Sequence, residues 1–470
     1  MIHPLIALAA WIPISLFCFR RYAVRIAILI NFVAGWAVLP SAAFAPTDAP
    51  FPYWILGTCL PSDHFFTKAS VTGITCLIGV LVFDRESFSR FKLSFWDLPM
   101  LAWCVVPLFS ALANIQGFSV AVRSELYQIF AWGVPYFFGR VYFADTVSLR
   151  MAAKAFVIAG MAYVPICLIE IFTGPQIYAH LYGYQPYRSI GAERYVGFRP
   201  IGLMEDGNQL GIWMATSALI AIWLWRRRLV TAIFRVPIAW ISGILFVTTL
   251  LCQSVGSIVL LFCLLPFLFI RQSYLPRAVA ALFLLAILAF MGLRVANFIS
   301  LRSLVEHNAA AYSVAQFFKG IQRQSFGWRL SQDEKYIDTA LAEPLLGTGA
   351  WDWWKSTGSR PWGLWLLALG MYGLAGLLAL ECLQLLPVAR ILGSPLAGSK
   401  LARGDTQAFD LRSALAAAIL MSAIDNLLNG SMILPLLLVI GGLSTQTVAA
   451  AAAAPKTPYR ATTTPSRRRA

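Results

Sequence analysis

Apolar runs of membrane-crossing length recur along nearly the whole chain, separated for the most part by short connections. A run of about 18 or more apolar residues has the length of a helix that spans a bilayer. Backbone inside hydrocarbon must satisfy its own hydrogen bonds, which leaves helices or a closed barrel. Barrel strands alternate apolar and polar residues, whereas these runs are continuous, so the barrel is excluded. With 59% hydrophobic and 12% charged residues and a mean hydropathy of +0.70, the chain is far from a soluble globule, whose charged fraction is nearer about 25%. The runs fall at 2–19, 26–46, 65–83, 98–113, 126–143, 153–173, 201–225, 236–253, 255–270, 278–293, 361–389, 413–428 and 432–450. They predict an all-α polytopic membrane helix bundle of twelve or thirteen transmembrane helices, forming one membrane domain over residues 1–450. No charged segment precedes 2–19 and no A-x-A site follows it before Arg20, so that run reads as a retained span rather than a signal peptide. Residues 451–470, rich in Ala, Thr and Pro and ending in Arg467–Arg469, read as a disordered cytoplasmic tail.

Charge orients the spans. Connections 20–25, 84–97, 140–154, 226–235, 271–277, 390–412 and 456–469 together hold 24 of the 37 Lys and Arg residues. They alternate with cation-poor connections, and the excess of cations assigns them to the cytoplasm. Thirteen spans then place the N-terminus outside and the C-terminus inside. A net charge of +16 raises nucleic acid as a partner, but the cations form no single soluble face, and membrane topology explains them better. The eight cysteines sit mostly inside apolar runs with no C-x-x-C, as small fillers do.

Two outer connections are long enough to carry chemistry. Residues 174–200 hold Arg188, Arg194 and Arg199 among several tyrosines. Residues 294–360 hold eight cations, including Arg329 and Arg360, against six acids. Cations kept on the outer face suggest an anionic ligand there. Ser331 and Glu334 have capping-box spacing, and Ile337, Ala340 and Leu341 give an apolar face that Pro344 ends. Extended one turn earlier, that helix lines up Arg329, Asp333 and Tyr336. Gly347-Thr348-Gly349 reads as a tight turn, and Trp351, Trp353, Trp354, Trp362 and Trp365 mark re-entry at the interface.

Absences narrow the chemistry. No D-x-D occurs, and the four histidines form no i, i+4 pair, so neither a metal site nor a cofactor is expected. Gly393–Lys400 lacks the Gly-Lys-Ser/Thr ending of a phosphate loop. A transporter is expected to carry charged pairs or interrupted helices in mid-membrane. Acids at depth are few: Glu170, Glu205, Asp206, Glu381 and Asp425.

Phe198-Arg-Pro-Ile-Gly-Leu-Met-Glu-Asp-Gly207, followed by Leu210-Gly-Ile-Trp-Met214, resembles the O-antigen ligase and polymerase family, close to its exopolysaccharide branch. Trp132–Tyr136 with Gly139-Arg140, then Trp328–Leu330, Pro344–Gly349, Leu369–Gly376, Asp425–Asn429 and Gly441–Leu443 follow in the family's order. The likeness covers roughly residues 95–445. It implies a lipid-donor glycosyltransferase bundle with a periplasmic loop over its cavity, in a bacterial inner membrane. It further implies metal-independent transfer of a glycan from undecaprenyl pyrophosphate to the hydroxyl of a sugar or glycolipid acceptor, alongside other polysaccharide assembly proteins. The departing pyrophosphate develops charge, which always-protonated arginines can meet two oxygens at a time. Two departures stand out. Family ligases carry a histidine shortly before the Gly373-x-x-Gly376 span, where this chain reads Ser359–Gly363, and Glu205-Asp206-Gly207 stands where the branch has Glu-His-Gly.

The expected catalytic residues are therefore Arg199, Arg329, Glu205 and Asp206, with Arg188, Arg194, Arg360, Asp333 and Tyr336 binding substrate. Each has a plainer reading. Arg199 is placed to snorkel, Arg329 to pair with Asp333, and one of Glu205 and Asp206 to cap the helix that follows. Asp425 and Asn429 read as interhelical polar contacts. At the level of function the alternatives are a transporter or flippase for a lipid-linked glycan and a non-catalytic subunit of an export assembly.

Overall fold

The computed structural model describes residues 1–42, 59–89, 91–184, 193–269, 274–296, 307–309, 312–313, 316, 329, 332–357, 360–394 and 403–445. Arg188, Ser331 of the expected capping box and the 451–470 tail lie outside them. The chain is an all-α membrane helix bundle. Among the described residues, six helices are long and apolar enough to cross a membrane: Pro4–Arg21, Phe95–Ala113, Thr146–Thr173, Arg277–Val295, Leu364–Leu392 and Thr406–Asp425. Four shorter apolar helices accompany them, Val24–Val38, Lys68–Phe83, Ile238–Leu251 and Val255–Phe269. The strands described are two residues each, Ala232–Ile233 and Val236–Pro237, in a tight antiparallel turn.

Several expected spans differ in form. The one expected at 126–143 is the end of a continuous helix from Phe118 to Tyr142 that widens into a π-bulge at Ile129–Gly133. The one expected at 201–225 starts only at Gly207. Ile201–Met204 are apolar and buried but not helical, because hydropathy registers burial and not backbone conformation. The capping-box helix is interrupted: residues 332–334 are helical, Lys335 and Tyr336 form a turn, and the helix resumes for one turn at Ile337–Ala340.

Tertiary contacts sort the connections into the two sets that charge counting defines. On the cation-rich face, Arg25 pairs with Asp145 at 3.2 Å and Arg227 with Asp410 at 3.8 Å. On that face also, Arg140 pairs with Asp97 at 2.7 Å, and Arg390 stacks over Trp96. On the other face, the backbone N–H of Ile2 donates to Leu181 O, Gln253 Nε2 donates to Val196 O, and Arg123 pairs with Asp63. Among the described residues these contacts each join connections of one set, as alternating spans require.

Gly207–Arg226 is the central helix, buried along most of its length. Small residues set its crossings: a Cβ on Gly160 would lie 2.5 Å from Ser217, and one on Gly211 would lie 2.3 Å from Ser254. Lipid offers helices no hydrophobic reason to associate, so such close backbone approaches carry the packing.

The Leu364–Leu392 helix is broken inside the bundle. Gly373 has φ 63° and ψ −162°, and the Pro344–Gly349 segment lies against the break. The N–H groups of Leu374 and Ala375 donate to Pro344 O and Leu345 O at 2.8 and 3.1 Å. Those of Thr348 and Gly349 donate to Gly370 O and Met371 O at 3.0 Å. The segment thus satisfies backbone groups that the interruption frees, the condition for non-helical backbone at depth. From the neighbouring helix Ser110 Oγ donates to Leu346 O and Met371 O, and Asn114 Nδ2 to Gly347 O. A Cβ on Gly373 would lie 2.4 Å from the Leu345 backbone. Gly373→Ala is therefore expected to cost more than the roughly 1 kcal/mol of a typical substitution, since it combines a left-handed conformation with a backbone clash. A thermal-melt midpoint in detergent unchanged from wild type would refute the described break.

Candidate functional site

Buried Glu170, near the end of the Thr146–Thr173 helix, organises the first outer connection. Its carboxylate accepts from the N–H of Ile177 at 3.1 Å and from those of Ile201 and Gly202 at 2.8 and 2.6 Å. Both ends of the connection are thereby fixed to one side chain. Between them a tight turn bridges Glu193 and Phe198, closed by Arg194 N donating to Gly197 O. Gly197 is required there: its φ is +61° and a Cβ would lie 2.1 Å from Ile171 O.

Arg199 leaves this turn half-buried and crosses the start of the central helix. Its Nη2 donates to Asn208 Oδ1 at 2.5 Å and to Ser254 Oγ at 3.1 Å. Burial lowers its pKa to about 10; Asp206 opposes the shift, while Arg194 and Arg329 add to it. At neutral pH the group is still a cation. Gly207 leaves it room, since a Cβ there would lie 2.6 Å from Arg199 Nε. Gly207→Ala is thus expected to displace the guanidinium without unfolding the helix, whose propensity alanine favours. A thermal-melt midpoint in detergent close to wild type checks that the helix survives, and a midpoint lowered as far as that of Gly373→Ala would refute it.

Glu205 and Asp206 have different partners. Asp206 caps the central helix, its Oδ1 accepting from Asn208 N at 2.9 Å and Gln209 N at 2.7 Å. Glu205 is fully buried with Lys68, Oε1 to Nζ at 3.4 Å. The Lys68 ammonium also lies 4.0 Å from the centre of the Trp36 ring.

Arg329 does not follow the plainer reading of an ion pair with Asp333. Its Nη1 donates to Asn429 Oδ1 and to Leu428 O, and its guanidinium sits 5.2 Å from the Trp362 ring centre. Arg360 lies over the same indole at 4.2 Å. Asn429 in turn donates through Nδ2 to Asp425 Oδ1 at 2.8 Å. Asp425 Oδ2 is buried with no hydrogen-bond partner among the described residues. Asp333 instead accepts from Trp362 N at 2.7 Å and Gly363 N at 3.2 Å, at the start of the Leu364–Leu392 helix. Burial raises its pKa to about 6, against the pull of those N–H groups and of Arg294 and Arg360. Tyr336 is buried edge-on against Trp353, 6.2 Å between centroids, and Trp353 covers Gly370.

Arg199 is therefore within electrostatic reach of Asp206, Arg194 and Arg329, while Arg360 joins Arg329 through Trp362. Asp333 and Tyr336 hold the second outer connection onto the interrupted helix. Sequence reasoning passed over Lys68, Glu170 as an organiser, and the Asp425–Asn429–Arg329 chain. The signal for Lys68 was a lone cation opening an apolar run. Among the described residues no group of three or more His, Cys, Asp or Glu side chains is arranged to hold a metal ion. Convergent guanidinium groups suit a ligand with several phosphoryl oxygens.

No family model, curated protein or solved structure matches this chain.

Proposed function

We propose that this chain is a membrane glycosyltransferase. It passes a glycan from undecaprenyl pyrophosphate to the hydroxyl of a sugar or glycolipid acceptor, as an exopolysaccharide or O-antigen polymerase or ligase. The observation that carries the reading is that Arg199 and Arg329, from the two long outer connections, lie within electrostatic reach of each other on the cation-poor face. In this reading the arginines grip the pyrophosphate and stabilise the charge it gains as the glycosidic oxygen leaves. Asp425, linked to Arg329 through Asn429 and with one carboxylate oxygen unpartnered among the described residues, is the candidate to take the acceptor's proton where the family histidine is missing. Purified protein supplied with a lipid-linked repeat unit should yield a product ladder if it polymerises, or a single transfer to a distinct acceptor if it ligates. No product from either would reject the reading.

The site must face away from the cytoplasm, at the periplasm of an inner membrane. Tyr195 is 72% exposed on the cation-poor face and Phe234 is 80% exposed on the other. Tyr195→Cys should label with an impermeant maleimide in intact cells, and Phe234→Cys should not. The reverse pattern would put the arginines on the wrong side.

A second reading, transport or flipping of a lipid-linked glycan, is favoured by the buried Lys68–Glu205 pair and the break at Gly373. Transporters carry such features in mid-membrane. Flux of the lipid-linked unit without any new glycosidic bond would select it.

A further inference from the structure

A cavity of about 240 Å3 opens on the cation-poor face, lined in part by Met371 of the broken helix, and no role has been given to it above. Three connections bound it: 61–63, 116–124 and 349–352. Its volume is far above the roughly 10–15 Å3 one water needs and just under the about 300–1,000 Å3 of small-ligand pockets, so it takes a unit of monosaccharide size. The walls combine the Trp351 indole with the Asp63 and Asp352 carboxylates, the Gln116 amide and the Ser124 hydroxyl. Its charges are already compensated: Arg123 pairs with Asp63 at 3.3 Å and Lys355 with Asp352 at 3.6 Å. An anion finds no spare cation there, and a metal ion would have to displace both partners. A neutral polyol fits better. Its hydroxyls can donate to carboxylates held in place by their ion pairs, and its apolar ring face can lie on the indole.

We infer that this cavity is a saccharide-binding subsite, taking one sugar ring of a glycan handled at this face. The inference rests on the glycan-transfer reading for its biological sense but not for its chemistry. The ring belongs to the acceptor or to the donor's own glycan, and kinetics separate the two. The probes are the methyl glycosides of glucose, galactose, mannose and N-acetylglucosamine, offered to the full-length protein in phospholipid nanodiscs free of sugar-headed detergent. Saturation-transfer NMR should show binding of at least one glycoside to wild type. Asp352→Asn removes a charged acceptor, and Val120→Trp adds bulk to the lining from a partly exposed position. Each should weaken binding on the order of tenfold. No signal with wild type, or equal signals from wild type and both variants, overturns the subsite. In the transfer assay Val120→Trp should raise KM for the acceptor if the ring is the acceptor's, and for the lipid-linked donor if it is the donor's. Unchanged KM for both would also overturn it. Glycoside binding that the variants abolish, with no transfer product from wild type, would sustain the subsite and reject the transferase.

Discussion

Arg329→Ala is expected to lower polymer yield by on the order of 10²–10³ at equal membrane abundance, the usual cost of deleting one preorganised donor to developing charge. Arg329→Lys should recover little of it. The native guanidinium reaches Asn429 Oδ1 and Leu428 O while lying against Trp362. A lysine supplies a compact point charge without the planar fork that makes this arrangement and grips two phosphate oxygens together. Asp333→Ala separates chemistry from fold. Asp333 accepts from Trp362 and Gly363 N–H just before the interrupted helix, so its loss should leave those donors unpaired, at a cost of about 1–3 kcal/mol of stability. It should reduce accumulation and leave the yield per molecule much closer to normal. Asn429→Ala, which removes the group that aims Arg329, should fall between. The decisive comparison is yield per inserted molecule across these variants. Normal yield from Arg329→Ala would leave the proposed pyrophosphate site to Arg199 alone.

Lys68→Met is expected to destabilise the protein by about 3–5 kcal/mol, because it leaves the Glu205 carboxylate buried without its counter-ion. Both side chains are fully buried and 3.4 Å apart. The double variant Lys68→Met with Glu205→Met should recover most of the loss, since replacing both ions of a buried pair with apolar groups is often neutral or stabilising. The rescued protein then tests Glu205 itself. Transfer at the wild-type rate would assign Glu205 to structure and leave the acid–base role to Asp425 or Asp206. A folded double variant without transfer would assign Glu205 to the chemistry. Loss of a lipid-linked glycan flux in the double variant, where the wild type forms no glycosidic bond, would favour the transport reading. Failure of the double variant to accumulate any better than Lys68→Met would reject the pairing as the cause of the instability.

Local transfer free energy acts segment by segment, so its consequences are legible in the chain alone. Apolar runs of crossing length set the helical membrane class, and the distribution of Lys and Arg divided the connections into two faces that contacts such as Arg25–Asp145 and Ile2–Leu181 reproduce. Arg199 and Arg329 were legible as candidates because cations on a cation-poor face are conspicuous. Tertiary structure alone decided their partners. The Gly373-x-x-Gly376 pattern was visible, but the left-handed break at Gly373 exists because Pro344–Gly349 supplies the hydrogen bonds it frees. Glu205 and Asp206 are adjacent in sequence, yet one meets Lys68 and the other the helix start. Arg329 and Asp333 have the spacing of a helical pair and face different helices instead. The physical reason is the solvent. Hydrocarbon fixes which segments enter the membrane but is indifferent to which helix faces meet. Close packing at small residues and the need to satisfy every buried polar group settle that choice, and neither is written in any one segment.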